Sequence, residues 1–169
     1  MVHNSQDSVL KYVSQFKKMR LALVKGYRAP HKVVLLLSVL YLVENGRITE
    51  NKVYPDSALL DAFKQYWRTY IDNASRGTSV KLGEDFEIST NHVYPFQCTI
   101  NNPFFYMSNE PFWRLVKSDA WEKRNAYSWS ALQRCYKYAE IDQELFELLQ
   151  DSAAREQLRN CLIEMLCGM

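Results

Sequence analysis

Apolar residues at Val9, Leu10, Val13, Phe16 and Leu23 recur near a helical period with lysines opposite, which predicts an amphipathic helix over residues 7–23. Gly26 ends it, and residues 26–30 read as a short connector. Residues 30–44 are apolar nearly all round, so they predict a buried central helix, opened by Pro30 and closed by Asn45-Gly46. A third helix is expected over residues 55–71, with Leu59, Leu60, Phe63, Trp67 and Tyr70 as its inner stripe. Residues 72–92, rich in Asn, Ser, Gly, Thr and charge, read as a long surface loop. Over residues 93–116 aromatic and β-branched residues are punctuated by prolines. That texture predicts short strands, with residues 104–107 and 112–116 as a hairpin around Ser108-Asn109-Glu110-Pro111. Three helical stretches, 128–139, 142–150 and 152–167, close the chain. The expected fold is a single α+β domain over residues 1–169, mostly α-helical, with a buried central helix and a short β-hairpin.

Composition narrows the class. With 169 residues and 47% hydrophobic content the chain can bury one full core and is too short for two comfortable ones. Eleven Tyr, eight Phe and four Trp exceed what a small core needs, so either the core is aromatic-rich or some of these rings line a surface. Cys98, Cys135, Cys161 and Cys167 form no CxxC pair and no zinc spacing with His3, His31 or His92. The first residues are polar and the longest apolar run is too short to span a bilayer. A cytoplasmic protein with reduced cysteines, no membrane association and no cofactor is therefore expected.

The formal net charge of +2 conceals a polarity of sequence. Residues 8–43 contain Lys11, Lys17, Lys18, Arg20, Lys25, Arg28 and Lys32 and no acid, whereas residues 140–169 hold seven acids against Arg155 and Arg159. Such asymmetry points to an anionic partner.

Two constellations carry candidate chemistry. In Tyr27-Arg28-Ala29-Pro30-His31-Lys32 a helix begins where Ala29 offers no capping acceptor. The free N–H groups of its first turn, with Tyr27, Arg28, His31 and Lys32 around them, suit a phosphate; the plainer alternative is a water-solvated turn with a solvated cationic face. The second is the aromatic and proline segment from His92-Val93-Tyr94-Pro95 through Asn102-Pro103-Phe104. Rings beside prolines, which lack an N–H, can wall an apolar hollow that takes a soft, poorly hydrated atom better than a charged oxygen. A hairpin packed on the core is the competing reading. Lys123 and Arg124, in the charged stretch 117–124, are candidates to reach a nucleic-acid groove or its phosphates; the plainer reading is a charged loop.

No Walker loop, GxGxxG, HExxH or paired-Cys metal site is present, and His31 has no nucleophile or carboxylate signalled beside it. Neither catalytic residues nor a metal site is expected, so the chain reads as a binding protein and not an enzyme.

Ala29-Pro30-His31-Lys32 leading into Val33–Leu37, then Pro103-Phe104-Phe105 and Phe112-Trp113-Arg114-Leu115, resembles the sulfur-binding domains of bacteria. So does the tail Ala139-Glu140-Ile141-Asp142-Gln143-Glu144-Leu145 with Leu148-Leu149-Gln150-Asp151. Such domains stand alone or precede HNH nuclease modules in phosphorothioate-dependent restriction enzymes. The resemblance implies bacterial defence and binding of double-stranded DNA in which sulfur replaces a non-bridging phosphate oxygen. It assigns the phosphates to His31 and Lys32 with Arg28 beside them, and base reading to Lys123 or Arg124. It implies a sulfur pocket of a Tyr-Pro pair with a small residue nearby. Tyr94-Pro95 with Cys98 keeps that chemistry, whereas Asn102-Pro103 keeps the position before Trp113 but has no Tyr, and Tyr106 is not small. A nuclease partner, fused or separate, is implied. Two alternatives remain: a recognition domain of an HNH-type restriction endonuclease without sulfur preference, and a protein–protein module whose basic face docks an acidic partner or the acidic helices of a second copy.

Overall fold

The structure, a computed structural model, describes residues 5–72, 80–81, 87–88, 96–122 and 128–168. Helix α1 (Ser5–Lys17) buries Val9, Tyr12 and Phe16 and stops well before residue 23. The chain then turns back in a hairpin of β1 (Leu23–Val24) and β2 (Tyr27–Arg28). Lys25 at φ 52° and Gly26 at φ 84° form its two-residue turn. Two successive positive φ values match the right-handed twist of the flanking strands, so the turn closes tightly. The Ala29 N–H donates to the Ala22 carbonyl at 2.7 Å and sets the base of the hairpin.

Helix α2 (His31–Glu44) is the central element. Every residue from Lys32 to Val43 except Tyr41 is buried. Around it pack α3 (Ser57–Trp67), α4 (Asn101–Tyr106), α6 (Gln143–Gln150) and α7 (Ser152–Cys167). Asp56 caps α3 by accepting from the Leu59 N–H at 2.9 Å, and Asp151 caps α7 by accepting from Ala154 at 2.8 Å. A π-helical turn, Arg68–Asp72, extends α3. Short strands β3 (Val80–Lys81) and β4 (Glu87–Ile88) pair antiparallel.

Two expectations about the second half are corrected. The hairpin of residues 104–107 with 112–116 does not form: α4 and a 3-10 turn, Met107–Asn109, occupy its first arm. Pro103 sits in the first turn of α4, where a missing N–H costs no intrahelical bond, so proline and aromatic content did not exclude a helix. The second arm is a strand, β5 (Trp113–Lys117), but its partner lies far ahead in sequence. That partner, β6 (Tyr136–Ile141), takes over the end of the stretch expected as one helix over 128–139; only α5 (Trp129–Cys135) is helical there. Leu115 faces Ala139 and Trp113 faces Ile141 across the pair, and Val53 bridges to Ala139 on the other side. Tyr136, Tyr138 and Val116 favour extended backbone once paired, which no local helical period reveals. The Trp113 indole N–H donates to the Phe104 carbonyl at 3.1 Å, locking α4 to this sheet.

One hydrophobic cluster runs from Val9 in α1 to Leu166 in α7. The fold is thus mostly helical α+β around a buried central helix, and among the described residues no helix is long and apolar enough to cross a membrane.

Candidate anion-binding groove

A groove of about 410 Å³ opens where the hairpin, the start of α2, residues 96–99 and α4 with its following turn meet. Leu21, Ala22, Val24, Ala29, Phe96 and Pro103 supply apolar wall; Arg20, His31, Lys32, Thr99, Asn102, Tyr106 and Asn109 supply the polar groups. Pro30 takes the capping position of α2, and no side chain caps its first turn. A proline side chain has no acceptor, so the helix start lacks the side-chain cap that Asp56 and Asp151 give α3 and α7.

The cations expected to hold phosphate do not stand alike. Lys32 is enclosed because α2 is buried from Lys32 through Leu40. Its ammonium pairs with Glu110 at 2.8 Å, the two side chains being 9% and 5% exposed. Glu110 also accepts the Arg20 backbone N–H at 2.9 Å, tying the chain after α1 to the turn after α4. Lys32 is thus a charge-compensated floor of the groove. An ammonium has three donors, and Glu110 is its one hydrogen-bond partner among the described residues.

His31 is held by Trp67, with ring centroids 4.7 Å apart, and by Phe96 edge-on at 5.7 Å. Its Nε2–H donates to the Gln97 carbonyl at 2.7 Å. Burial pushes its pKa down, only partly offset by that carbonyl, so the ring is neutral near pH 7. It positions residues 96–97 and is not a third cation. Arg28 is exposed and Tyr27 half-buried on β2.

The sulfur-pocket candidates are divided as well. Pro103 lines the groove, but Phe104 is fully buried, edge-on to Trp113 and Trp129, and is removed from the pocket by its packing. Cys98 is exposed outside the lining, its thiol pushed up chiefly by partial burial. Tyr94, Pro95, Lys123 and Arg124 lie outside the described residues. Sequence reasoning gave Glu110 no role, counted Arg20 only among the cations, and met Asn102 and Tyr106 only as departures from the resembled pocket. Glu110 had one signal: a single carboxylate between apolar runs.

The charge polarity of the sequence is partly cancelled inside the molecule. Lys11 pairs with Glu144 at 2.6 Å, Ser8 donates to Glu144 at 2.9 Å, and the Tyr12 hydroxyl donates to Asp142 at 2.9 Å. The Lys11 contact, followed by the Ser8 one, holds the Glu144 carboxyl below its usual range. With Lys11 and Lys32 engaged, the exposed cations Lys17, Lys18, Arg20, Lys25 and Arg28 make no ion pair with another described residue. All five fall from the last residue of α1 through the hairpin, and of them Arg20 lines the groove. Among the described residues no group of His, Cys, Asp and Glu could hold a metal ion.

No family model matches the chain, and no curated protein matches it.

Proposed function

We propose that this protein binds the backbone of double-stranded DNA, and that the groove beside α2 receives a phosphorothioate. The observation that carries the reading is a mostly apolar groove floored by the buried Lys32–Glu110 pair and lined by exposed Arg20, which makes no ion pair among the described residues. The two parts divide the work. Exposed cations give sequence-independent affinity that falls with salt as counterions are released. The apolar wall of Pro103, Ala29 and Leu21 favours the less hydrated sulfur, while an ordinary phosphate oxygen loses water there without full compensation. The gain is about 1–3 kcal/mol, the scale of leaving one buried polar group unsatisfied. Lys32 offers its remaining N–H donors to the anion, and Glu110 keeps the floor from carrying a net charge that would hold any phosphate alike.

Tyr106, 51% exposed at the groove, stands where the resembled family has a small residue. That feature favours a second reading, backbone binding without sulfur preference.

A mobility-shift titration of one short duplex, with and without a single phosphorothioate at physiological salt, separates the readings. Tenfold tighter binding of the sulfur duplex, about 1.4 kcal/mol, supports the first. Equal binding leaves the second, and no binding to either duplex rejects both.

A further inference from the structure

We infer that the β1–β2 hairpin reads base edges in the major groove of the bound duplex, with Arg28 and Leu23 as the reading pair. The inference rests on the proposed DNA binding and deepens it. Cross-strand partners share a face, so the register Leu23↔Arg28 and Val24↔Tyr27 gives the hairpin two distinct sides. The Val24 side walls the anion groove. The other side presents Leu23, 69% exposed and the most exposed large apolar residue among those described, next to exposed Arg28.

A lone exposed leucine needs no explanation. This one sits on a ribbon fixed by its tight Lys25-Gly26 turn, amid five cations that no described acid neutralises. Charge complementarity selects a polyanion as the occupant. The major groove admits a two-stranded ribbon and offers what each side chain can use: guanine N7 and O6 for an arginine fork, the thymine methyl for a leucine. Because one thin ribbon carries both the groove wall and the reading face, the bases read lie within about three base pairs of the gripped phosphate.

The test is selection from a randomised duplex library carrying one phosphorothioate at a fixed central position. Wild type is expected to enrich guanine and thymine beside that position. Arg28→Lys keeps the charge but loses the fork, so the guanine preference falls from about five- to hundredfold toward unity. Leu23→Ala loses the thymine preference. Replacing that thymine by uracil, which removes the methyl alone, weakens wild type severalfold and leaves Leu23→Ala unaffected. Both residues are exposed, so neither change should disturb folding.

Unaltered base preferences in both variants overturn the inference while leaving DNA binding intact. So does a wild type that binds the library without enriching any base. Failure to retain the library at all overturns the inference together with the DNA-binding proposal. Sedimentation with phosphatidylserine vesicles more strongly than with duplex, abolished by Leu23→Ala, would reassign the hairpin to a lipid surface and overturn it as well.

Discussion

Replacing Lys32 by Met removes the ammonium from a site where it is almost wholly enclosed, 2.8 Å from Glu110. The Glu110 carboxylate is then left with the Arg20 backbone N–H as its hydrogen-bond donor among the described residues. Breaking one half of a buried ion pair costs about 3–5 kcal/mol, because the surviving charge stays desolvated. For a domain of this size that is a drop in Tm of about 6–20 °C. Glu110→Gln preserves shape and an acceptor for Arg20 but strands the Lys32 charge, so a similar loss is expected. The double variant Lys32→Met with Glu110→Gln removes both charges and keeps the Arg20 contact. It should recover most of the stability, giving a coupling energy of about 2 kcal/mol or more in the cycle. Urea unfolding of the four proteins, followed by tryptophan emission, reads all of this. A Lys32→Met cost under about 1 kcal/mol with no coupling would refute the argument, since a solvated cation in a basic patch behaves that way. Under the proposed function the double variant, although folded, should bind DNA more weakly than wild type.

Arg20, which lines the groove, should act on phosphate: Arg20→Ala should weaken duplex binding and lower the slope of log affinity against log salt by about one, whatever the sequence, and an unchanged slope would show that Arg20 meets no phosphate. His31, held neutral by burial, has a folded pKa below its unfolded value. Its contribution is therefore complete above about pH 6.5 and is lost as pH falls through the folded pKa. Tm measured against pH should decline more steeply in wild type than in His31→Gln over that range, and parallel curves would contradict the placement. Phe104→Ala should cost about 3–5 kcal/mol with fully buried packing lost, whereas a pocket residue would lose affinity instead. Asp56→Ala should remove the α3 cap at a cost of about 1 kcal/mol, seen as a lower urea midpoint.

Local physics is legible in the chain wherever one segment decides its own state. The nearly uninterrupted apolar run 33–43 can satisfy its backbone and shed water only as a buried helix, and α2 is that helix. Asp56 and Asp151 announce the starts of α3 and α7 because a cap acts within three residues. The unneutralised cations around the hairpin were visible too, as the acid-free stretch of residues 8–43.

What tertiary structure decided is everything that depends on a partner far away in sequence. Tyr136–Ile141 becomes a strand because Trp113–Lys117 and Val53 lie beside it, and ladder hydrogen bonds outweigh a weak local helical preference. Lys32 and Glu110 are 78 positions apart, and only their meeting turns a candidate phosphate ligand into the neutralised floor of a groove. His31 was legible as a titratable group at a helix start, but its charge is set by Trp67 and Phe96, which remove the water an imidazolium needs. A residue's type is written in the chain; its solvation is supplied by the neighbours that folding brings to it.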